Sequence, residues 1–127
     1  MEYSNRANFR KILIAAGAAL IANLALFGIG NAAGATWDAG QESPVGLGLV
    51  AGASVGPMLI GGLVAWLISS KTSKPLTWLS WGVLAFAVLG SPLGWVASGD
   101  TATGLALGGM HVIEGLAFFW AVKPTKN

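Results

Sequence analysis

The run 104-GLALGGMHVIEGLAFFWAV-122 is apolar throughout except for His111 and Glu114, which stand one helical turn apart. An α-helix needs about 20 such residues to cross a hydrocarbon core. Four runs of this kind can be read, about 12–29, 45–69, 76–97 and 102–122, and His111 and Glu114 are the only ionisable residues inside any of them. The composition agrees, with 54% hydrophobic residues, 9% charged residues and a mean hydropathy of +0.69. So little charge cannot cover a water-soluble surface. The reading is a single transmembrane domain over 1–127, all-α, an integral membrane four-helix bundle. The turns at 71–75 and 98–101 are short, so sequential helices are expected to be antiparallel neighbours in up-down-up-down order. Too little chain remains outside the runs for a soluble catalytic or nucleotide-binding domain.

Charge placement predicts the orientation. Arg6, Arg10 and Lys11 precede the first run, Lys71 and Lys74 lie between the second and third, and Lys123 and Lys126 follow the fourth. The opposite side carries Asp38, Glu42 and Asp100 and no basic residue. The positive-inside bias puts both termini in the cytoplasm. The pI of 9.3 is on this account a topology signal and not a nucleic-acid footprint. Trp66, Trp78, Trp81 and Trp120 fall near the cytoplasmic ends, and Trp37 and Trp95 near the other, as two interfacial belts. The first run is read as a retained span, since its apolar core of about 18 residues exceeds the 7–15 of a signal peptide. With no cysteine there is no disulfide, thiolate metal site or cysteine nucleophile.

Helices in lipid associate where small residues let backbones approach. Ala15-xxx-Ala19-xxx-Asn23, Gly48-xxx-Gly52-xxx-Gly56, Gly61-xxx-Ala65, Gly90-xxx-Gly94 and Gly104-xxx-Gly108 give every run such a face. Pro57 and Pro92 lack an N–H, so the carbonyls of Ala53 and Val88 lose their helical donors and each helix can kink. Counting about 1.5 Å per residue from the basic side, Asn23 and His111 lie roughly 18 Å deep, Glu114 about 14 Å, Pro57 about 20 Å and Ser54 about 24 Å. An interior polar cluster of Asn23, His111, Glu114 and Ser54 is therefore expected at mid-membrane. Polar groups at that depth are costly and mark sites.

Several roles fit such a cluster. The plainest is hydrogen bonding that assembles helices, in a packing or accessory subunit that forms a homo-oligomer or joins other membrane subunits. The alternative is a small oligomeric channel or transporter for protons, ions or a small solute, using His111 and Glu114. Ligation of a tetrapyrrole through His111 is a minor possibility, because Gly104, Gly108 and Gly115 share its helical face. Gly52-Ala-Ser-Val-Gly56 matches the G-x-S-x-G nucleophile string, with His111 as base. It lies inside a glycine-spaced apolar helix and not on a strand-to-helix turn, so an intramembrane serine hydrolase is a weak alternative and no catalytic residue is assigned. His111 and Glu114 alone are too few ligands for a metal. No cofactor is expected.

The run 78-WLSWGVLAFAVLGSPLGWVASG-99, followed by a helix carrying a histidine in 105-LALGGMHVIEG-115, resembles a family of small four-helix bacterial membrane proteins of unknown function, frequent in actinobacteria. The likeness is best over 76–122. It implies a four-span cytoplasmic-membrane protein with no assigned activity, and Ser91, Pro92 and His111 are the matching positions. Glu114 is not carried over from the family.

Overall fold

The computed structural model describes residues 7–72 and 74–124, without the side chains of residues 94, 95 and 97. Arg6 and Lys126 lie outside the described residues, as do the side chains of Gly94 and Trp95. Four helices form, α1 (Phe9–Ala32), α2 (Leu47–Ser69), α3 (Lys74–Ala97) and α4 (Thr101–Val122), and each is long and apolar enough to cross a membrane. Asn8 starts α1 by accepting the amide of Arg10 at 2.9 Å, a side-chain cap on an otherwise unpaired donor. Pro75 sits in the first turn of α3, where a missing N–H costs nothing. Val45, expected inside the second span, instead donates its amide to the Trp37 carbonyl at 2.8 Å, so α2 begins two residues later.

Neighbouring helices run antiparallel, as expected, but they are not equally close. α1 packs on α2 and on α4, and α4 packs on α3, whereas α2 and α3 barely meet. The cause lies in where the small residues point. A Cβ built on Gly62 would stand 2.4 Å from Ile12, and one on Gly115 would stand 2.5 Å from Ala87. Gly108 approaches the Ser91 carbonyl, which would lie 3.1 Å from an added Cβ. These glycines draw α2 onto α1 and α4 onto α3. The outer pair is left apart.

Gly48, Gly52 and Gly56 do not pack within the chain, contrary to the expectation above; nothing lies within 4 Å of where their Cβ atoms would be. Val50, Ser54, Met58, Gly62, Ala65 and Ser69 are the buried face of α2. A two-residue offset is a rotation of about 200°, so burying that face turns Gly48, Gly52 and Gly56 outward. In α1 the stripe Ala15, Ala19, Asn23 is buried as read.

Two apolar clusters divide the interior by height. One, near the termini, gathers Ile12, Ala16, Met58, Leu76, Phe118 and Val122. The other, near the 33–46 loop, gathers Trp37, Val45, Val50, Ala106 and Met110 and, among the described side chains, draws on none of α3. The aromatic and basic residues at the terminal end combine: the Lys11 ammonium lies 4.8 Å from the Trp120 ring and that of Lys123 lies 4.7 Å from Phe119. Trp78, Trp81 and Trp120 are exposed there.

Trp37 departs from the belt assigned to it. It is 5% exposed and stacks on Phe27 at 4.4 Å, and its indole N–H donates to Asn31 Oδ1 at 2.6 Å. Its ring fills the space that a side chain at Gly30 would need, 2.6 Å from a built Cβ. The backbone N–H of Trp37 donates to Thr103 Oγ1 at 2.9 Å. Asp100 completes this clamp: it caps α4 through the Thr103 amide and hydroxyl, at 2.9 and 2.8 Å, and accepts the Thr36 hydroxyl and amide. The Thr36 hydroxyl, followed by the Thr103 amide and hydroxyl, holds the Asp100 carboxyl down to about 2 from an ordinary 3.8.

A carboxyl lowered in the folded state stabilises above its unfolded pKa and stops doing so as pH falls to the folded value. Amide protection factors at Thr36 and Thr103 should therefore hold steady from neutral pH to about 4 and collapse between about 4 and 2. Protection that already falls near pH 6 would show that Asp100 is not the clamp.

Candidate functional site

Halfway along the bundle, between the two apolar clusters, one carboxamide joins three helices. Asn23 of α1 donates one N–H to Ser54 Oγ of α2 at 2.8 Å and the other to Glu114 Oε1 of α4 at 3.1 Å. The Ser54 hydroxyl donates in turn to the Val50 carbonyl at 2.7 Å. Asn23 is 2% exposed and Ser54 1%. Every N–H and O–H of Asn23 and Ser54 is thus engaged. The Asn23 Oδ1 acceptor is buried and has no partner. A buried acceptor without a donor costs about 1–3 kcal/mol.

The helices dictate this meeting. Asn23 lies on the buried Ala15–Ala19 face of α1, and Ser54 lies four residues after Val50 and four before Met58 on the buried face of α2. Glu114 lies four residues after Met110 and four before Phe118 on α4, both buried. Spacing of four keeps all three on inward stripes.

His111 does not join the cluster, which corrects the expected interior quartet. It is exposed, and its Nδ1–H donates to the Leu107 carbonyl at 2.8 Å, one turn back on its own helix. Because a carbonyl can only accept, the neutral ring keeps Nε2 as an acceptor. Glu114, three residues on, is turned inward toward Asn23 and is half-buried. His111 and Glu114 are thus one turn apart without being hydrogen-bonded to each other. Nor is the Ser54 hydroxyl paired with His111.

The cluster forms the floor of a groove of about 720 Å³ between α2 and α3. Its walls are apolar: Leu49, Ala53, Pro57 and Val64 on one side, Leu79, Val83 and Phe86 on the other, with Leu107 and Phe118 beneath. Leu49, Val64 and Phe86 are themselves exposed, at 51%, 45% and 79%, so the groove opens on the lipid-facing surface. His111 stands on its rim. Pro57, expected as a kink, lies within α2 and lines the groove, as does Ala53, whose carbonyl receives no helical donor from it. Pro92 lies within α3, where the Ser91 hydroxyl donates to the Val88 carbonyl at 2.8 Å and replaces the bond that the proline removes. The Gly104–Gly108 face of α4 lies against α3, alongside Ser91 and Pro92.

Residue depth set Asn23, at roughly 18 Å, between Glu114 at about 14 Å and Ser54 at about 24 Å, and the structure joins the three through Asn23. The groove was not legible, because it arises from the gap between α2 and α3. The Asp100 clamp was missed although Asp100 immediately precedes Thr101-x-Thr103, a helix-start signal. Among the described residues no group of three or more His, Cys, Asp or Glu could hold a metal.

A model of a family of unknown function, DUF6069, matches residues 3–127, and the chain belongs to that family. No curated protein and no solved structure matches it.

If Asn23 is the junction, a double-mutant cycle in mild micelles should read it. Asn23→Ala and Glu114→Ala should couple by about 0.6 kcal/mol or more, within the range for membrane bundles, while His111→Ala and Glu114→Ala should be additive. Coupling in the second pair and none in the first would reverse the assignment.

Proposed function

We propose that this DUF6069 protein binds an apolar or amphiphilic molecule that enters laterally from the bilayer into the groove between α2 and α3. The observation that carries this reading is the polar floor under an apolar groove. Acyl chains alone can fill a gap between lipid-facing helices, but they offer nothing to Asn23, Ser54 and Glu114 at mid-membrane. Polar groups kept at that depth are costly and point to a site. The volume of about 720 Å³ lies within the range of about 300–1,000 Å³ common for small-molecule sites. The four spans make the protein a multi-pass membrane protein. We place it in the cell membrane with both termini cytoplasmic, on the basic residues gathered at the terminal end.

A second reading has its own support. The outward face of Gly48, Gly52 and Gly56 is open, and such a face suits close approach by another helix. On this reading the chain is an accessory subunit that forms homo-oligomers through α2, and the groove is independent of that contact.

Two experiments test these readings. In phosphatidylcholine nanodiscs, 1-octanol should bind saturably at one molecule per chain above empty-disc background. Ala53→Phe, which fills the groove, should weaken binding at least tenfold, while the lipid-facing Ile60→Phe should not. Uptake equal to that of empty discs would end the groove reading. Because the chain has no cysteine, single replacements report assembly and orientation. Gly52→Cys should give a cross-linked dimer in membranes and Lys71→Cys should label only from the cytoplasm. A monomeric Gly52→Cys and outside labelling of Lys71→Cys would refute the two claims respectively.

A further inference from the structure

The chemistry of the floor narrows the class of molecule. Asn23 uses both N–H groups within the protein, Ser54 uses its O–H, and His111 uses Nδ1–H. What remains unpaired is Asn23 Oδ1, the second oxygen of Glu114 and Nε2 of a neutral His111. Asn23 Oδ1 is buried, whereas the free Glu114 oxygen is not among the buried unpartnered atoms and reaches the groove surface. No lysine or arginine lines the groove. Besides Asn23 the lining holds one side-chain amide, Gln41 of the 33–46 loop, and one carboxyl, Glu114.

We infer that the groove takes a lipophilic amine, with its alkyl or aryl body between α2 and α3 and its nitrogen at the free Glu114 oxygen. This rests on the groove reading above and specifies its ligand. An amine fits whichever group carries the proton. A neutral amine accepts the proton of a Glu114 carboxylic acid, and an ammonium donates to a Glu114 carboxylate; both routes end in one N–H···O contact of zero net charge. A neutral pair is what hydrocarbon depth tolerates, since an isolated ion there is costly. Alcohols can donate but leave the carboxyl without a counter-ion. Carboxylates bring a second negative group to a site lined by no lysine or arginine among the described residues. Asn23 acts here as a positioning residue: its N–H holds Oε1, so the other oxygen is the one left for a ligand of the groove that Glu114 lines.

Four probes of one chain length separate the possibilities, each titrated into the whole protein in phosphatidylcholine nanodiscs against empty discs. Octylammonium should bind at least tenfold more tightly than 1-octanol, octyltrimethylammonium should fall back close to 1-octanol, and octanoate should not exceed background. Glu114→Gln should bring octylammonium to the 1-octanol level while 1-octanol itself binds as before, which also shows that the variant is folded. Equal binding of octylammonium and 1-octanol, with Ala53→Phe abolishing both, would overturn the amine assignment and leave the groove standing. Octyltrimethylammonium as tight as octylammonium would overturn the N–H contact. Absence of saturable binding for all four would overturn the groove and the amine together.

Discussion

A hydrocarbon interior offers no water to a polar side chain, so each such group must find its partner within the bundle or bear the cost of going without. Asn23 meets this constraint with a single carboxamide shared between α2 and α4. Sharing it sets the heights of three helices against one another, because Ser54 and Glu114 must both come within hydrogen-bond reach of the same nitrogen. The apolar clusters above and below have no such directionality. They supply contact, while the polar layer between them supplies register.

α3 is the helix this layer does not hold. It contributes no residue to the Asn23 network and is secured mainly by α4, through Ala87 on Gly115 and Ser91 on Gly108. Near the short connection from α2, Leu76 is fully buried in the terminal cluster, whereas among the described side chains the loop-end cluster contains none from α3. The gap between α2 and α3 is the groove, with Leu49, Ala53, Pro57 and Val64 of α2 facing Leu79, Val83 and Phe86 of α3. The 33–46 loop is tied to α4 through Asp100, Thr103 and Trp37, so α4 is the common support of the loop, the floor and α3.

The sequence disclosed the elements more readily than their facing. Four apolar runs and the turns between them were legible because hydrocarbon thickness sets a length that composition reveals. Depth was legible in order, since a constant rise per residue placed Asn23 between Glu114 and Ser54, about 4 to 6 Å from each. Rotation was not. With helices apolar on all sides, no polar stripe marks the outer face, and small-residue spacing was the remaining guide. That guide held for Ala15 and Ala19 and failed for Gly48, Gly52 and Gly56, because α2 has a second small-residue face two positions away. His111 was misplaced for a related reason. Three residues separate it from Glu114, about 60° of helix, enough to put one side chain at the rim and the other at the floor.

That rotation gives the two residues different chemistry. At the rim, His111 has its Nδ1 engaged by the Leu107 carbonyl of its own helix and is exposed. On the floor, Glu114 is held by Asn23 through one oxygen and is half-buried, so its carboxyl is exposed to the groove while shielded from water on the α1 side. A carboxyl with one oxygen anchored and one free has a fixed plane and a fixed direction of approach, and such preorganisation reduces the ordering cost of binding. The groove then decides what can use that direction. Its exposed walls at Leu49, Val64 and Phe86 admit a molecule from the lipid side and bring an apolar body along the groove, so that only the end of the molecule meets Glu114. Selectivity in this arrangement comes from the head group and capacity from the gap, two properties set by different helices.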